Sequence, residues 1–211
     1  MNRKMLRRVL TLVLVAVALP AVAAAQRFEV TPFVGYRIGG GLQDFDFEQD
    51  SFDFQDTESL GVALSIALRE GVFLEILYSG QETTLEDESG FQGDQPLFDL
   101  DVDYWHIGGL YEFDIGQAFK PFVVGTLGVT EFDPQPAGIS GETRFSIGIG
   151  GGAKMMFGEN VGFRFEGRGF TTFVNSNTQV FCDPFRCYGY SSGTYMWQFE
   201  GRVGLILAFG G

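Results

Sequence analysis

Residues 59–69 read Ser-Leu-Gly-Val-Ala-Leu-Ser-Ile-Ala-Leu-Arg, and this stretch decides the fold class. Leu60, Val62, Leu64, Ile66 and Leu68 fall on one side of an extended chain. Ser59, Gly61, Ala63, Ser65, Ala67 and Arg69 fall on the other. Alternation with period two marks a strand with one apolar face. The pattern recurs at Phe28 to Ile38, Val72–Gln81, Leu97–Phe113, Ala118–Thr130, Thr143–Phe157, Val161–Phe173 and Tyr195–Phe209. A soluble strand of this kind packs its apolar face on a core, but no segment is left over to cover eight such faces. Lipid is the cover that remains, and only closed barrels cross a bilayer as strands. The expected fold is all-β, an eight-stranded antiparallel up-and-down transmembrane β-barrel. A soluble lipocalin-like barrel is the alternative, with the apolar set turned inward around a ligand cavity.

The connections alternate in length, which favours the membrane version. Arg69-Glu70-Gly71, Asp114-Ile115-Gly116-Gln117 and Gly158-Glu159-Asn160 are tight turns with the expected glycines. Between them lie long polar segments at roughly 39–58, 82–96, 131–142 and 174–194. Short turns on one side and long loops on the other are how outer-membrane barrels are built, with the long loops outside the cell. Both chain ends are then expected in the periplasm.

The start of the chain agrees. Arg3, Lys4, Arg7 and Arg8 precede an apolar run from Val9 to Leu19, followed by Pro20 and the small residues up to Ala25. This reads as a signal peptide over 1–25, with the barrel domain over 26–211. The run falls short of the roughly 20 residues of a spanning helix. Removal of 1–25 leaves 10 Lys and Arg against 27 Asp and Glu, a formal charge of −17. Such an acidic chain is a poor partner for nucleic acid, whose phosphates need basic contacts.

Three stretches carry a family resemblance: EVTPFVGYRIGG at 29–40, PFVVGTLGV at 121–129 and FSIGIGGGAKMMFGENVGFRFEGRGF at 145–170. With them the mature chain resembles the small outer-membrane β-barrels of the OmpA-transmembrane-domain and OmpX type. The resemblance implies the outer membrane of a Gram-negative-type bacterium. It also implies contact with outer-membrane lipid and lipopolysaccharide, delivery by periplasmic chaperones and the barrel-assembly machinery, and a monomer. Two features depart from the family pattern. Phe209 is followed by Gly210 and Gly211 where relatives end on an aromatic residue, and the peptidoglycan-binding domain that follows the barrel in some relatives is not expected here.

The polar face separates by sign along the chain. From Ile38 to Phe119 there are nineteen acids and one basic residue, Arg69. Glu75, Asp99, Asp101 and Asp103 are expected inward there. The later strands add Lys120, Arg144, Lys154, Arg164, Arg168 and Arg202, with Glu166 and Glu200 among them. Closing the barrel brings the two sets together. Charges in a narrow lumen must be paired or wetted, and eight strands leave just enough room for side chains. A paired and nearly filled interior is expected, with a narrow channel as the alternative.

Strand four carries an ambiguity. Leu100, Val102 and Tyr104 taken as lipid-facing would turn His106 toward lipid, whereas Ile107, Tyr111 and Phe113 fit the opposite phase. A β-bulge near Trp105-His106 would reconcile them. His106 is the only histidine, and Ser65, Ser79 and Ser146 show no partner set for it in sequence, so a lipid-modifying enzyme has little to stand on. The first long loop places seven acids between Asp44 and Glu58, interleaved with Phe45, Phe47, Phe52 and Phe54. The second adds Glu82, Glu86, Asp87, Glu88 and Asp94. Divalent cations bridging to lipopolysaccharide phosphates are one reading of these carboxylates; a solvated acidic rim, with strands running past the membrane, is the other. Cys182 and Cys187 share one loop of an exported chain and are expected to form a disulfide. Neither metal nor cofactor is called for by any residue set. The expected role is non-enzymatic, in envelope structure or surface interaction.

Overall fold

The computed structural model describes residues 27–44, 51–87, 95–115, 118–135, 141–173, 179–182, 187–189 and 195–210. Eight long strands form the wall: β1 (Phe28–Ile38), β4 (Thr57–Arg69), β5 (Val72–Asp87), β6 (Gln95–Glu112), β7 (Phe119–Pro134), β8 (Glu142–Met156), β9 (Val161–Phe173) and β12 (Tyr195–Phe209). Four short strands, β2 (Gly41–Asp44), β3 (Ser51–Phe54), β10 (Gln179–Cys182) and β11 (Cys187–Gly189), lie in two of the long connections. Each long strand pairs antiparallel with its neighbours in sequence, and β1 with β12 closes the ring. No helix occurs among the described residues. The segment 1–25 lies outside them.

Local chemistry explains the outline. The turns after β4 and β8 are short because Gly71 (φ +69°) and Gly158 (φ +92°) take the left-handed conformation that a side chain would oppose. Along β9 and β12 strict alternation places one residue in two on the outside, among them Phe163, Phe165, Phe199 and Leu205. Ile149, Val34 and Leu127 also stand on the outside of the wall, more than half exposed. Aromatic pairs mark two levels. Tyr111 with Phe113 and Phe157 with Phe163 lie near the short turns. Phe145 with Phe173 and Tyr195 with Trp197 lie toward the long loops. An apolar belt edged by aromatic girdles is the surface a barrel shows to lipid. Charge lies inside and apolar residues outside, the reverse of a lipocalin.

At the long-loop end the sheet outgrows the ring. β5 and β6 pair from Val72↔Tyr111 to Asp87↔Gln95, well past Gln81, where alternation alone would end strand three. β3 adds to β5 through Phe52↔Asp87, β2 pairs β3, and β11 pairs β2. Cys182 and Cys187 are Cα partners where β10 meets β11.

The structure corrects the reading of strand four. β6 runs without interruption past Trp105 and His106, in register with both β5 and β7, and its one irregularity lies opposite Leu85/Glu86. There is no bulge at His106. Leu100, Val102, Tyr104, His106 and Leu110 all face inward, and Ile107, Tyr111 and Phe113 face outward. Asp99, Asp101 and Asp103 therefore lie on the outer face. The cause is a change of medium along the strand. Above the lipid band the outside is water, so Asp99 and Asp101 stand outward, while Asp103 on the same face is buried and accepts from the Tyr78 hydroxyl; the apolar side chains fill the barrel mouth.

Candidate functional site in the barrel lumen

Three layers of side chains fill the lumen. At the short-turn end, Lys154 Nζ lies 2.7 Å from Glu29 Oε2 and 3.0 Å from Glu112 Oε2, and Lys120 Nζ lies 3.0 Å from Glu112 Oε1. Phe73, Leu110, Phe122 and Val124 pack beside this belt. Lys154 Nζ sits 4.2 Å from the centre of the Phe73 ring, and the Arg164 guanidinium sits 4.5 Å from that of Phe122. Cations over aromatic faces recover part of the solvation they lose.

The middle layer is a continuous ion network. Glu75 on β5 reaches across the lumen to β9, where its two oxygens accept from Arg164 Nη2 (2.7 Å) and Arg168 Nη2 (2.5 Å). Glu166 lies between Arg164 (2.6 Å), Arg168 (2.7 Å) and Arg202 (2.7 Å). Arg37 Nη2 and Nε donate to Glu200 Oε2 at 2.7 and 3.0 Å, and Ser79 Oγ donates to the same oxygen at 2.7 Å. Every one of these charged groups is buried. Geometry of this quality is what a low-dielectric interior requires, because a buried charge without a partner costs several kcal/mol.

A polar and aromatic layer follows. Tyr104 Oη donates to Gln198 Oε1 at 2.7 Å, spanning from β6 to β12, and the Tyr104 ring stacks on Phe170 with 4.2 Å between centroids. The Arg37 guanidinium lies 4.7 Å from the Tyr104 ring centre. His106 Nδ1 is 2.9 Å from Thr126 Oγ1, and its Nε2 is 2.9 Å from Ser146 Oγ. One nitrogen donates and the other accepts, so the ring ties β6 to β7 and β8. Above it Phe54, Leu100, Val102, Phe132 and Met196 close the mouth.

The network gathers Glu75, Arg164, Glu166, Arg168, Glu200 and Arg202, and Lys120 and Lys154 belong to the lower belt. Arg144 faces inward but pairs with Glu142 near the long-loop end, apart from the central group. Asp99, Asp101 and Asp103 are outside the lumen: they accept from Thr84 Oγ1, Gln135 Nε2 and Tyr78 Oη respectively. Sequence reasoning passed over Glu29, Arg37 and Glu112. The signal for the first two was present, since an apolar face over 28, 30, 32, 34, 36 and 38 leaves positions 29 and 37 inward. A Ser146–His106 contact resembles part of a nucleophilic dyad. The other ring nitrogen, however, meets a threonine rather than a carboxylate, and both residues are buried between the layers.

The family model described as outer membrane protein beta-barrel domain matches residues 10–181. No curated protein matches the sequence. Among solved structures the chain is similar to Neisserial surface protein A, at 13% identity with a TM-score of 0.59, covering 86% of this chain and 97% of that one. It is similar to the outer membrane protein OprG from Pseudomonas aeruginosa at 12% identity, TM-score 0.62, covering 89% and 98%. It is also similar to the outer membrane protein AlkL, solved in lipid bilayers, at 11% identity, TM-score 0.56, covering 88% and 91%. At these identities the likeness is one of fold.

Proposed function

Because the chain belongs to the outer membrane protein beta-barrel domain family, we propose that it is a closed, non-enzymatic barrel of the outer membrane that acts through its long loops, in envelope structure or surface interaction. The observation that carries this reading is the filled lumen. A belt of ion pairs and apolar residues lies at one end, a charged network in the middle and an apolar cluster at the mouth. A solute path would have to break ion pairs that lie in a low dielectric. His106 and Ser146, the pair nearest to catalytic chemistry, lie inside that packing rather than at the rim where lipid could reach them.

In this reading the short turns and both chain ends lie in the periplasm, and the long loops face outward from the cell. The loops hold the surface charge. Apart from seven lumen-facing basic residues, the mature chain has only Arg27, Arg69 and Arg186 to set against its acids. Cys182 and Cys187, partners across β10 and β11, close one of these loops as a disulfide.

Planar-bilayer recordings on the purified barrel test the reading. No steady conductance is expected, and a large steady conductance would establish the narrow channel instead. The disulfide is checked by alkylation and mass measurement before and after reduction. Two thiols already reactive in the exported protein would remove it.

A further inference from the structure

Among the described residues, the middle of the lumen holds four guanidinium groups, Arg37, Arg164, Arg168 and Arg202, against three carboxylates, Glu75, Glu166 and Glu200. One positive charge is left over. The other lumen charges do not absorb it. Lys120 and Lys154 match Glu112 and Glu29, with Arg27 adding positive charge at the short-turn end, and Arg144 matches Glu142. A guanidinium cannot shed its proton, so the excess cannot be removed by neutralisation.

A second, independent observation locates the deficit. Arg164 Nε, Arg164 Nη1 and Arg168 Nη1 are buried and have no hydrogen-bond partner, on residues only 3% and 2% exposed. Arg37, by contrast, uses all three of its nitrogens. Orphan nitrogens also occur at Arg27 Nε and Arg144 Nε, and Glu166 Oε2, 2.6 Å from Arg164, makes no hydrogen bond of its own, but within the central network every unpartnered donor lies on Arg164 or Arg168. Both donate to Glu75, one to each of its oxygens. Ser65, in register beside Glu75, has a buried hydroxyl that also lacks a partner.

We propose that the lumen binds one small monovalent anion, of the halide class, at Arg164 and Arg168, with the Ser65 hydroxyl as a further donor. A single excess charge calls for a monovalent ion, and the apolar clusters packed above and below the network favour a small one. The site lies in the lumen whose closure the proposed function rests on. Occupancy and conductance are separate measurements, so the failure of one is told from the failure of the other.

The test uses the whole mature barrel refolded in detergent and crystallised from sodium bromide. One anomalous bromide peak is expected within hydrogen-bond distance of Arg164 and Arg168, and none at that place in Arg164→Gln, whose central network is neutral. In solution, the urea midpoint of the wild type is expected to be higher in bromide than in gluconate at equal ionic strength. Lys120→Ala keeps that shift and Arg164→Gln loses it. Should Arg164→Gln fail to refold, the two salts compared on the wild type decide alone. Water rather than bromide at the site overturns the proposal, as does a peak that persists in Arg164→Gln, the mark of an adventitious ion only. Equal midpoints in the two salts also overturn it.

Discussion

Glu75 in the lumen and Asp101 on the outer face near the long loops are both strand carboxylates, yet their surroundings differ in every respect. Glu75 is buried and meets two guanidiniums. Asp101 lies in register between Glu82 and Asp133, with Asp103 opposite Glu131 one step along. Inside, each charged group contacts at least one of opposite sign, because a bare charge in a low dielectric is costly. Outside, like charges sit directly across from one another; around the half-exposed Asp101 this costs a few tenths of a kcal/mol in water and is reduced further by salt, while the buried Asp103 is held by the Tyr78 hydroxyl. The difference teaches that lumen charges specify strand positions, whereas the outer acids follow from where the strands end up.

Substitutions can break this contrast or sharpen it. Glu75→Ala leaves Arg164 and Arg168 to share Glu166 with Arg202 and is expected to lower stability by about 3–5 kcal/mol, read as a drop in the urea midpoint of the refolded barrel. For Arg37→Met and Glu200→Met, each single change is expected to cost about 3 kcal/mol. The double variant should cost clearly less than the two added together, a coupling that a double-mutant cycle measures. Independent, additive effects would mean that this pair does not act as a unit. His106→Ala removes two hydrogen bonds and some packing, and about 2 kcal/mol is expected in the same unfolding experiment. Asp101→Asn marks the small end of the series. Its effect should stay within roughly 0.5 kcal/mol and shrink toward zero as salt is raised, which a loss as large as that of Glu75→Ala would contradict.

The eight wall strands were legible because lipid outside and a polar lumen inside write the same two-residue rhythm on each of them. For β1, β9 and β12 alternation gives the observed limits, Phe28–Ile38, Val161–Phe173 and Tyr195–Phe209. β6 was misjudged where it leaves the lipid. Around Leu100 and Val102 the apolar side chains turn inward to fill the mouth, so a rule that sends apolar residues outward assigns Asp99, Asp101 and Asp103 to the wrong face. The short strands β2, β3, β10 and β11 left no periodic trace, since each owes its existence to a neighbour distant in sequence, as β11 does to β2. In the ion network, residue type and alternation together were enough to gather Glu75, Arg164, Glu166 and Arg168. Which oxygen meets which guanidinium, and that Arg37 belongs with Glu200, depends on the stagger of the closed ring, and no local pattern encodes that.

The seam between β1 and β12 has a consequence for the order of events during folding. It joins Phe28 to Phe209, positions at opposite ends of the barrel sequence, and their rings stack 5.1 Å apart. Pairing so remote in sequence is slow to form. Glu200 and Arg202 both arrive on that final strand, so until it docks Arg37 lacks its carboxylate and Glu166 lacks one of its three arginines. The interior charges thus reward only the complete ring. An open sheet one strand short would hold an unmatched guanidinium at its edge, and this discourages it from settling into lipid half made.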